Sequence, residues 1–299
     1  MSVRTRLIAV AVALVVVAAA IVVVVLLMQP REATAPDAST PPAPPATSAP
    51  SPEPYSAPSA VDLGALPAAA ATMEYVIGGL MPFNDGPIVD RVYHLAADAP
   101  VYGEDRTAAP VARLDAVNFL REATVVVVSR FDGDWALVLT PARIALPSAS
   151  QGTAPAQSAG WIRRDLLVES HAQTHRVIVD IAQRTATIQT WTGDTVETYP
   201  VGVGGLDNPS PTGTTYIQAR YLDPAQDQTV HRIQLTGAYS SESDAPWRGS
   251  AHTGLHFSPD PASDSHGCVR LTAEGIEAID ALPIGTVVTF IDEANPADE

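Results

Sequence analysis

The sequence predicts a mainly β protein with one helix in its folded part, carried behind an N-terminal membrane-spanning helix. Three observations predict this. Residues 7–28 form an unbroken apolar run, and residues 30–67 are mostly Pro, Ala, Ser and Thr. Beyond residue 71, short stretches rich in β-branched residues are separated by Gly, Asp and Pro, and helical periodicity occurs in one place only. The 299 residues include 33 acidic and 17 basic side chains, for a net charge of −16, and no lysine. That balance excludes nucleic acid as a partner, because a polyanion needs a positive face that releases counterions. With 46% hydrophobic and 17% charged residues, the chain as a whole is not disordered. A single cysteine, Cys268, excludes an internal disulfide and any cysteine-rich metal site.

Taken in order, residues 1–6 are a short cytoplasmic tail and residues 7–28 an anchor. At about 1.5 Å per residue, a helical run of this length crosses a hydrocarbon core of roughly 30 Å. Arg4 and Arg6 precede it, so the positive-inside rule places everything after it outside the cytoplasm. A cleaved signal peptide, which would make the protein secreted, is the alternative. Its apolar core is ordinarily about 7–15 residues, shorter than this run, so an uncleaved, single-pass, extracytoplasmic arrangement is favoured. Residues 29–70 read as a disordered linker, because prolines favour extended backbone and there is little apolar surface to bury. About 35 such residues at roughly 3.1 Å each reach about 100 Å.

Residues 71–170 read as a small β domain. Thr124–Ser129 is a strand, residues 131–134 a turn, and Trp135–Leu139 its hairpin partner. Ala99-Pro-Val-Tyr102, Gly133-Asp-Trp-Ala-Leu-Val138 and Gly160-Trp-Ile162 follow in that order. The series resembles bacterial SH3-like (SH3b) modules, which implies a small β-barrel of the kind carried by exported cell-wall proteins. The alternative is an unassigned all-β spacer domain. Trp135 and Trp161 are expected in its core.

Residues 174–292 form a second domain, followed by a tail of residues 293–299. Val177–Ile181, Thr185–Trp191 and Thr195–Tyr199 alternate with a period of two around the turns at Gln183-Arg184 and Gly193-Asp194, which predicts an antiparallel meander. Thr272 is a candidate N-cap for the one helix. Ile276, Ile279 and Leu282 supply its apolar face, and Pro283 and Gly285 end it. Thr286–Ile291 is the last strand.

Cys268 lies in Ser265-His-Gly-Cys-Val-Arg-Leu271, directly before that helix. Thiolate is the nucleophilic form, and a helix N-terminus beside it would lower the thiol pKa. Gly267 lets the backbone approach closely, so that the N–H groups of Gly267 and Cys268 are candidate oxyanion donors. Upstream, Ser250–Ser258 carries His252 and His256, four apart and therefore on one face of a strand, as candidate bases. These are the parts of acyl transfer through a thioester, which needs no metal and no organic cofactor. A zinc site built from His252, His256, His266 and Cys268 is disfavoured, because Thr253, Gly254 and Pro259 make this stretch a poor helix. His94, His171, His175 and His231 read as surface or core residues. Tyr239 and Trp247 read as parts of an ordinary loop near the site, with a lid as the alternative.

The Ser-His-Gly-Cys motif preceded by Gly254-Leu-His256 resembles the L,D-transpeptidase (YkuD-like) catalytic domain. Asn208-Pro-Ser-Pro-Thr-Gly213 and the closing Gly285-Thr-Val-Val288 strand agree with it. The resemblance covers residues 174–291 and implies an L,D-transpeptidase-type β-sandwich with one helix that acts on peptidoglycan stem peptides. It implies Cys268 as nucleophile, His256 as its base, and His266 and Gly267 as further site residues. Ser265, Arg270 and His252 would shape the substrate pocket. The cysteine would attack a tetrapeptide donor stem at its third residue, release D-Ala and pass the acyl group to a neighbouring amine, giving a 3–3 cross-link. Hydrolysis instead would make an L,D-carboxypeptidase, and loss of chemistry a cell-wall-binding protein. The spacing to His266 is ten residues from His256 and fourteen from His252. The longer spacing is closer to the family's habit, whereas the Gly-Leu-His context selects His256. The segment from Phe257 to Asp264 is then a shortened loop. The oligomeric state is not encoded in any of these features.

Overall fold

A computed structural model describes residues 61–70, 76–244 and 252–292. The tail, the anchor, the linker as far as residue 60, Trp247 and the tail from residue 293 lie outside the described residues. Among the described residues no helix is long and apolar enough to cross a membrane.

The N-terminal half contains β1 (Met81–Phe83), β2 (Arg91–Leu95), β3 (Ala99–Val101), β4 (Ala112–Leu114), β5 (Val125–Asp132), β6 (Trp135–Thr140), β7 (Gln157–Arg163) and β8 (Leu167–Ala172). Six of them pair antiparallel in the order β1-β7-β6-β5-β2-β8, and β3 and β4 form a separate hairpin. The β5–β6 turn follows from Gly133, at φ 57°, which supplies the left-handed backbone of a tight hairpin. Val126, Val128, Ala136, Val138 and Ile162 fill the core between these strands. Trp135 and Trp161 are 8% and 5% exposed, with the guanidiniums of Arg106, Arg130 and Arg163 over their rings.

Residues 61–70 depart from the linker expectation. Asp62 caps a short helical turn, Ala69 is buried, and the Arg113 guanidinium donates to the carbonyls of Leu63 and Leu66 at 3.2 and 2.7 Å. Leu63, Leu66 and Ala69 interrupt the Pro/Ser composition enough to dock on β4, which the overall composition concealed.

The C-terminal half contains β9 (His175–Asp180), β10 (Thr185–Thr190), β11 (Thr195–Pro200), β12 (Gly213–Asp223), β13 (Gln228–Tyr239), β14 (His252–Phe257), β15 (Val269–Leu271), α1 (Ala273–Asp280) and β16 (Val287–Ile291). They form one sheet in the order β11-β10-β9-β16-β12-β13-β14-β15, antiparallel except for β9–β16 and β14–β15. Val177 and Val179 of β9 share a core with Leu255 of β14, Leu271 of β15 and Ile276 and Ile279 of α1, so the sheet folds over a common interior. Thr272 caps the helix, its hydroxyl accepting from Gly275 N–H at 3.2 Å. Tyr239 is not in a loop. It closes β13, 3% exposed.

The two halves belong to one compact unit and are joined by hydrogen bonds. Thr214 N–H donates to Asn84 O at 2.7 Å, Tyr239 N–H to Ala156 O at 2.8 Å, and Gln173 Nε2 to Gly285 O at 2.9 Å. The Arg143 guanidinium donates to the carbonyls of Ser240 and Ser243.

Candidate active site

The parallel β14–β15 pair builds the site. Leu255 stands opposite Val269, and His256 opposite Arg270. Leu255, Val269 and Leu271 are fully buried in the core. Because strand side chains alternate, His256 and Arg270 therefore point away from the core. They enter a cleft of about 450 Å³ that His252, Ser265, His266 and Cys268 also line. One step back along the register, Gly254 faces Cys268, and its backbone hydrogen-bonds the sulfur. His252 and His256 thus flank the glycine that meets the thiol. Gly267 does not line the cleft; it lies in the turn behind it.

That turn is shaped by glycine and by a second loop. Gly267 has φ 106°, a conformation that L side chains resist. Its carbonyl accepts from the Ser210 hydroxyl at 2.9 Å, and the same hydroxyl accepts from Gly204 N–H at 2.9 Å. Ser265 Oγ donates to Cys268 O and accepts from Gly267 N–H at 3.1 Å. The Gly267 N–H is therefore already engaged, which departs from its expected part in an oxyanion hole. Residues 202–205 run alongside residues 265–270: Gly202 and Arg270 exchange backbone bonds at 3.0 and 2.9 Å, and Ser265 N–H donates to Val203 O at 2.8 Å. Arg270 is also bonded to the Ser263 hydroxyl.

The electrostatics differ from the sequence expectation. The strand β15 separates Cys268 from the helix cap at Thr272, so no helix N-terminus adjoins the sulfur. Burial is the largest influence and pushes the Cys268 thiol above its ordinary value, against smaller opposing effects of the Gly254 backbone bond and the Arg270 charge. His256 moves the other way. Burial holds it below its ordinary value and the Arg270 charge adds to that, while its bond to the Phe257 carbonyl opposes. A neutral imidazole and a neutral thiol, both half-buried and lining one cleft, are the resting arrangement these shifts favour at neutral pH.

The two candidate bases sit differently. His256 Nδ1 lies 2.8 Å from Phe257 O, and a carbonyl accepts only, so Nδ1 carries the proton in the neutral ring and Nε2 is left as the basic nitrogen. His252 is buried and packs on Tyr239, with centroids 3.9 Å apart and planes at 37°, and the Arg143 guanidinium lies over the Tyr239 ring, 5.5 Å from its centroid. His266 is exposed at the mouth. The short loop after His256 is internally tied, Ser258 and Ser263 both donating to Asp260 O, and it still supplies cleft wall through Pro259, Asp260 and Ser263.

Sequence reasoning missed Ser210, which braces the turn, and Tyr221, which walls the cleft. The Asn208–Gly213 segment was the available signal for Ser210. Tyr221 lies in a stretch whose apolar alternation is broken by Gln218 and Arg220 and gave none. Among the described residues no three His, Cys, Asp or Glu side chains are grouped as a metal would require.

Residues 174–289 match the model of the YkuD family, described as the L,D-transpeptidase catalytic domain. The chain is 28% identical over 129 residues to YkuD of Bacillus subtilis (strain 168), a protein named as an L,D-transpeptidase, across 42% of this chain and 70% of that one. Among solved structures, an L,D-transpeptidase from Mycobacterium smegmatis aligns at 16% identity with a TM-score of 0.31, covering 52% of this chain and 90% of that one. L,D-transpeptidase 1 of Mycobacterium tuberculosis aligns at 16% with a TM-score of 0.31, covering 45% and 76%.

Proposed function

We propose that residues 174–292 form a peptidoglycan L,D-transpeptidase that makes 3–3 cross-links through a Cys268 thioester. The observation that carries this reading is that the chain's one cysteine, braced at a glycine turn, lines the same cleft as a neutral histidine whose Nε2 is the basic nitrogen, inside the region that matches an L,D-transpeptidase catalytic domain.

In this reading His256 Nε2 removes the thiol proton as sulfur attacks the donor carbonyl, so the ion pair forms only as the bond does. The proton then passes to the departing D-Ala amine and leaves a thioester. A stem-peptide amine attacks that thioester and regenerates the thiol. Arg270 supplies positive charge at the cleft for the developing oxyanion or a substrate carboxylate, and the Cys268 N–H is the remaining backbone donor. Ser265 holds the turn, His266 lies at the acceptor mouth, and His252 shapes the cleft floor. The residue 7–28 run would anchor the protein with this domain facing the cell wall, and the SH3b-like half would hold it there.

The test is intact mass of the purified full-length chain mixed with a disaccharide-tetrapeptide, with Cys268→Ala as control. The reading expects an adduct on the parental protein alone, release of D-Ala and a dimeric muropeptide. D-Ala without dimer would assign the carboxypeptidase instead. Neither adduct nor D-Ala would end the enzyme reading.

A further inference from the structure

An aromatic side chain of the N-terminal half packs against a residue that lines the cleft. Residues 116–124 form a small, firmly built hairpin between β4 and β5. Val117 bridges Ala123, and Thr124 N–H donates to Ala116 O at 2.8 Å. Asn118 Oδ1 accepts from the N–H groups of both Leu120 and Glu122, at 2.9 and 3.1 Å. Arg121 takes a left-handed φ of 66° to close the turn. Phe119 lies in this turn and is 37% exposed.

Its ring packs edge-on against Tyr221 of β12, with centroids 5.7 Å apart and planes at 84°. That is the preferred geometry of an aromatic pair, the positive ring edge meeting the negative face. Tyr221 lines the Cys268 cleft. Burial is the main influence on its phenol and pushes the pKa up to about 12. On the other side of the pair, Phe119, Gln218 and Ala219 line a separate cavity of about 710 Å³. Ala219 and Tyr221 are two apart on one strand and share a face, so one face of β12 contributes to both cavities, with Phe119 lining the first and Tyr221 the second.

We propose that Phe119 is a positioning residue for the thioester chemistry: packed on Tyr221, it fixes the ring that walls the Cys268 cleft and so sets how tightly a stem peptide is held. It forms and breaks no bond. The inference rests on the transpeptidase reading, because its readout is a stem-peptide donor.

The experiment compares the full-length parental chain with Phe119→Ala, Phe119→Tyr, Tyr221→Ala and the Phe119→Ala/Tyr221→Ala double variant. D-Ala release from a tetrapeptide donor gives KM and kcat, and iodoacetamide alkylation across pH reports the thiol. Phe119→Ala should raise the donor KM about threefold to tenfold, with kcat and the alkylation profile within about twofold. Phe119→Tyr, which keeps the ring, should restore the parental KM. The double variant should be no worse than Tyr221→Ala alone, because the two residues act as one unit. An unchanged KM in Phe119→Ala, or additive losses in the double variant, would overturn the proposal while leaving the transpeptidase intact. A parental protein that releases no D-Ala would remove the transpeptidase reading and this inference together. Loss of the alkylation profile in both Phe119 variants would show a general structural role and equally overturn it.

Discussion

The Thr215 hydroxyl donates to the Gln157 side-chain oxygen at 2.7 Å, and through this bond the β7 strand of one sheet is fastened to β12 of the other. Both residues are buried, and Gln157 Nε2 in turn donates to the carbonyls of Thr140 and Ser158. Removing the amide strands the buried Thr215 hydroxyl and takes a donor from two strand carbonyls, of which Thr140 O keeps the Ser158 hydroxyl. Gln157→Ala should therefore cost about 1–3 kcal/mol in urea unfolding. A loss under about 0.5 kcal/mol would mean the halves are not coupled at this point.

The reactivity of Cys268 with pH follows from its burial. A thiol raised above its ordinary value of about 8.5 is protonated at neutral pH, so alkylation of the parental protein should climb only on the alkaline side of that value. Turnover behaves differently, because it needs neutral His256. With that imidazole held below about 6.5, activity should persist through pH 6.5 and fall only below it, as the base takes up a proton. An alkylation midpoint near neutrality would reveal a resting thiolate–imidazolium pair and sink this account.

Gly204 sits where a Cβ would strike the backbone of Asn208 and Ser210, and neither can retreat as a side chain would. Gly204→Ala should push the 208–210 segment off Gly267 and misplace the sulfur. We expect a fall of about 10²-fold in D-Ala release, with far-UV circular dichroism unchanged. Gly267→Ala tests the same turn by another route. Its added Cβ meets nothing closer than 3.5 Å, so any loss there reports backbone strain alone.

Asp280 ends the helix inside a cationic cluster. Burial would raise its carboxyl, but hydrogen bonds from Arg232 and Gln234 and the charges of Arg232 and Arg220 outweigh that and hold it below the usual carboxylate range. A folded-state value below the unfolded one gives stability that is present above about pH 4 and drains away as pH falls through the folded value. Asp280→Asn should flatten that part of the acid limb in urea unfolding measured from pH 5 to pH 2. An unchanged limb would place the acid sensitivity elsewhere.

The legible parts of the fold are those where one face is wet. β9, β10 and the helix show clean periodicity because each buries one side only, and Thr272 caps the helix as its residue type predicts. The two longest strands, β12 and β13, show none. They are covered by the core on one side and by the N-terminal half on the other, so Gln218, Gln234 and Thr236 are buried with hydrogen-bond partners of their own and erase the alternation. At the site, the motif located Cys268 and both flanking histidines. The intervening β15, only three residues long, was hidden because Val269, Arg270 and Leu271 run without a break into the helix cap, and with it went the helix-terminus argument for an acidic thiol.

The segment from Gly202 to Ser210 has no side chain of its own in the proposed chemistry, yet it carries the turn that presents the sulfur. Its hydrogen bonds run to the 265–270 turn and to β15, the last strand of the sheet, rather than to β12 or β13. Opening of this segment therefore needs far less free energy than unfolding of β12 and β13. The thiol would lose its address while most of the protein stays native, so heat or proteolysis should silence the enzyme well before the molecule as a whole comes apart.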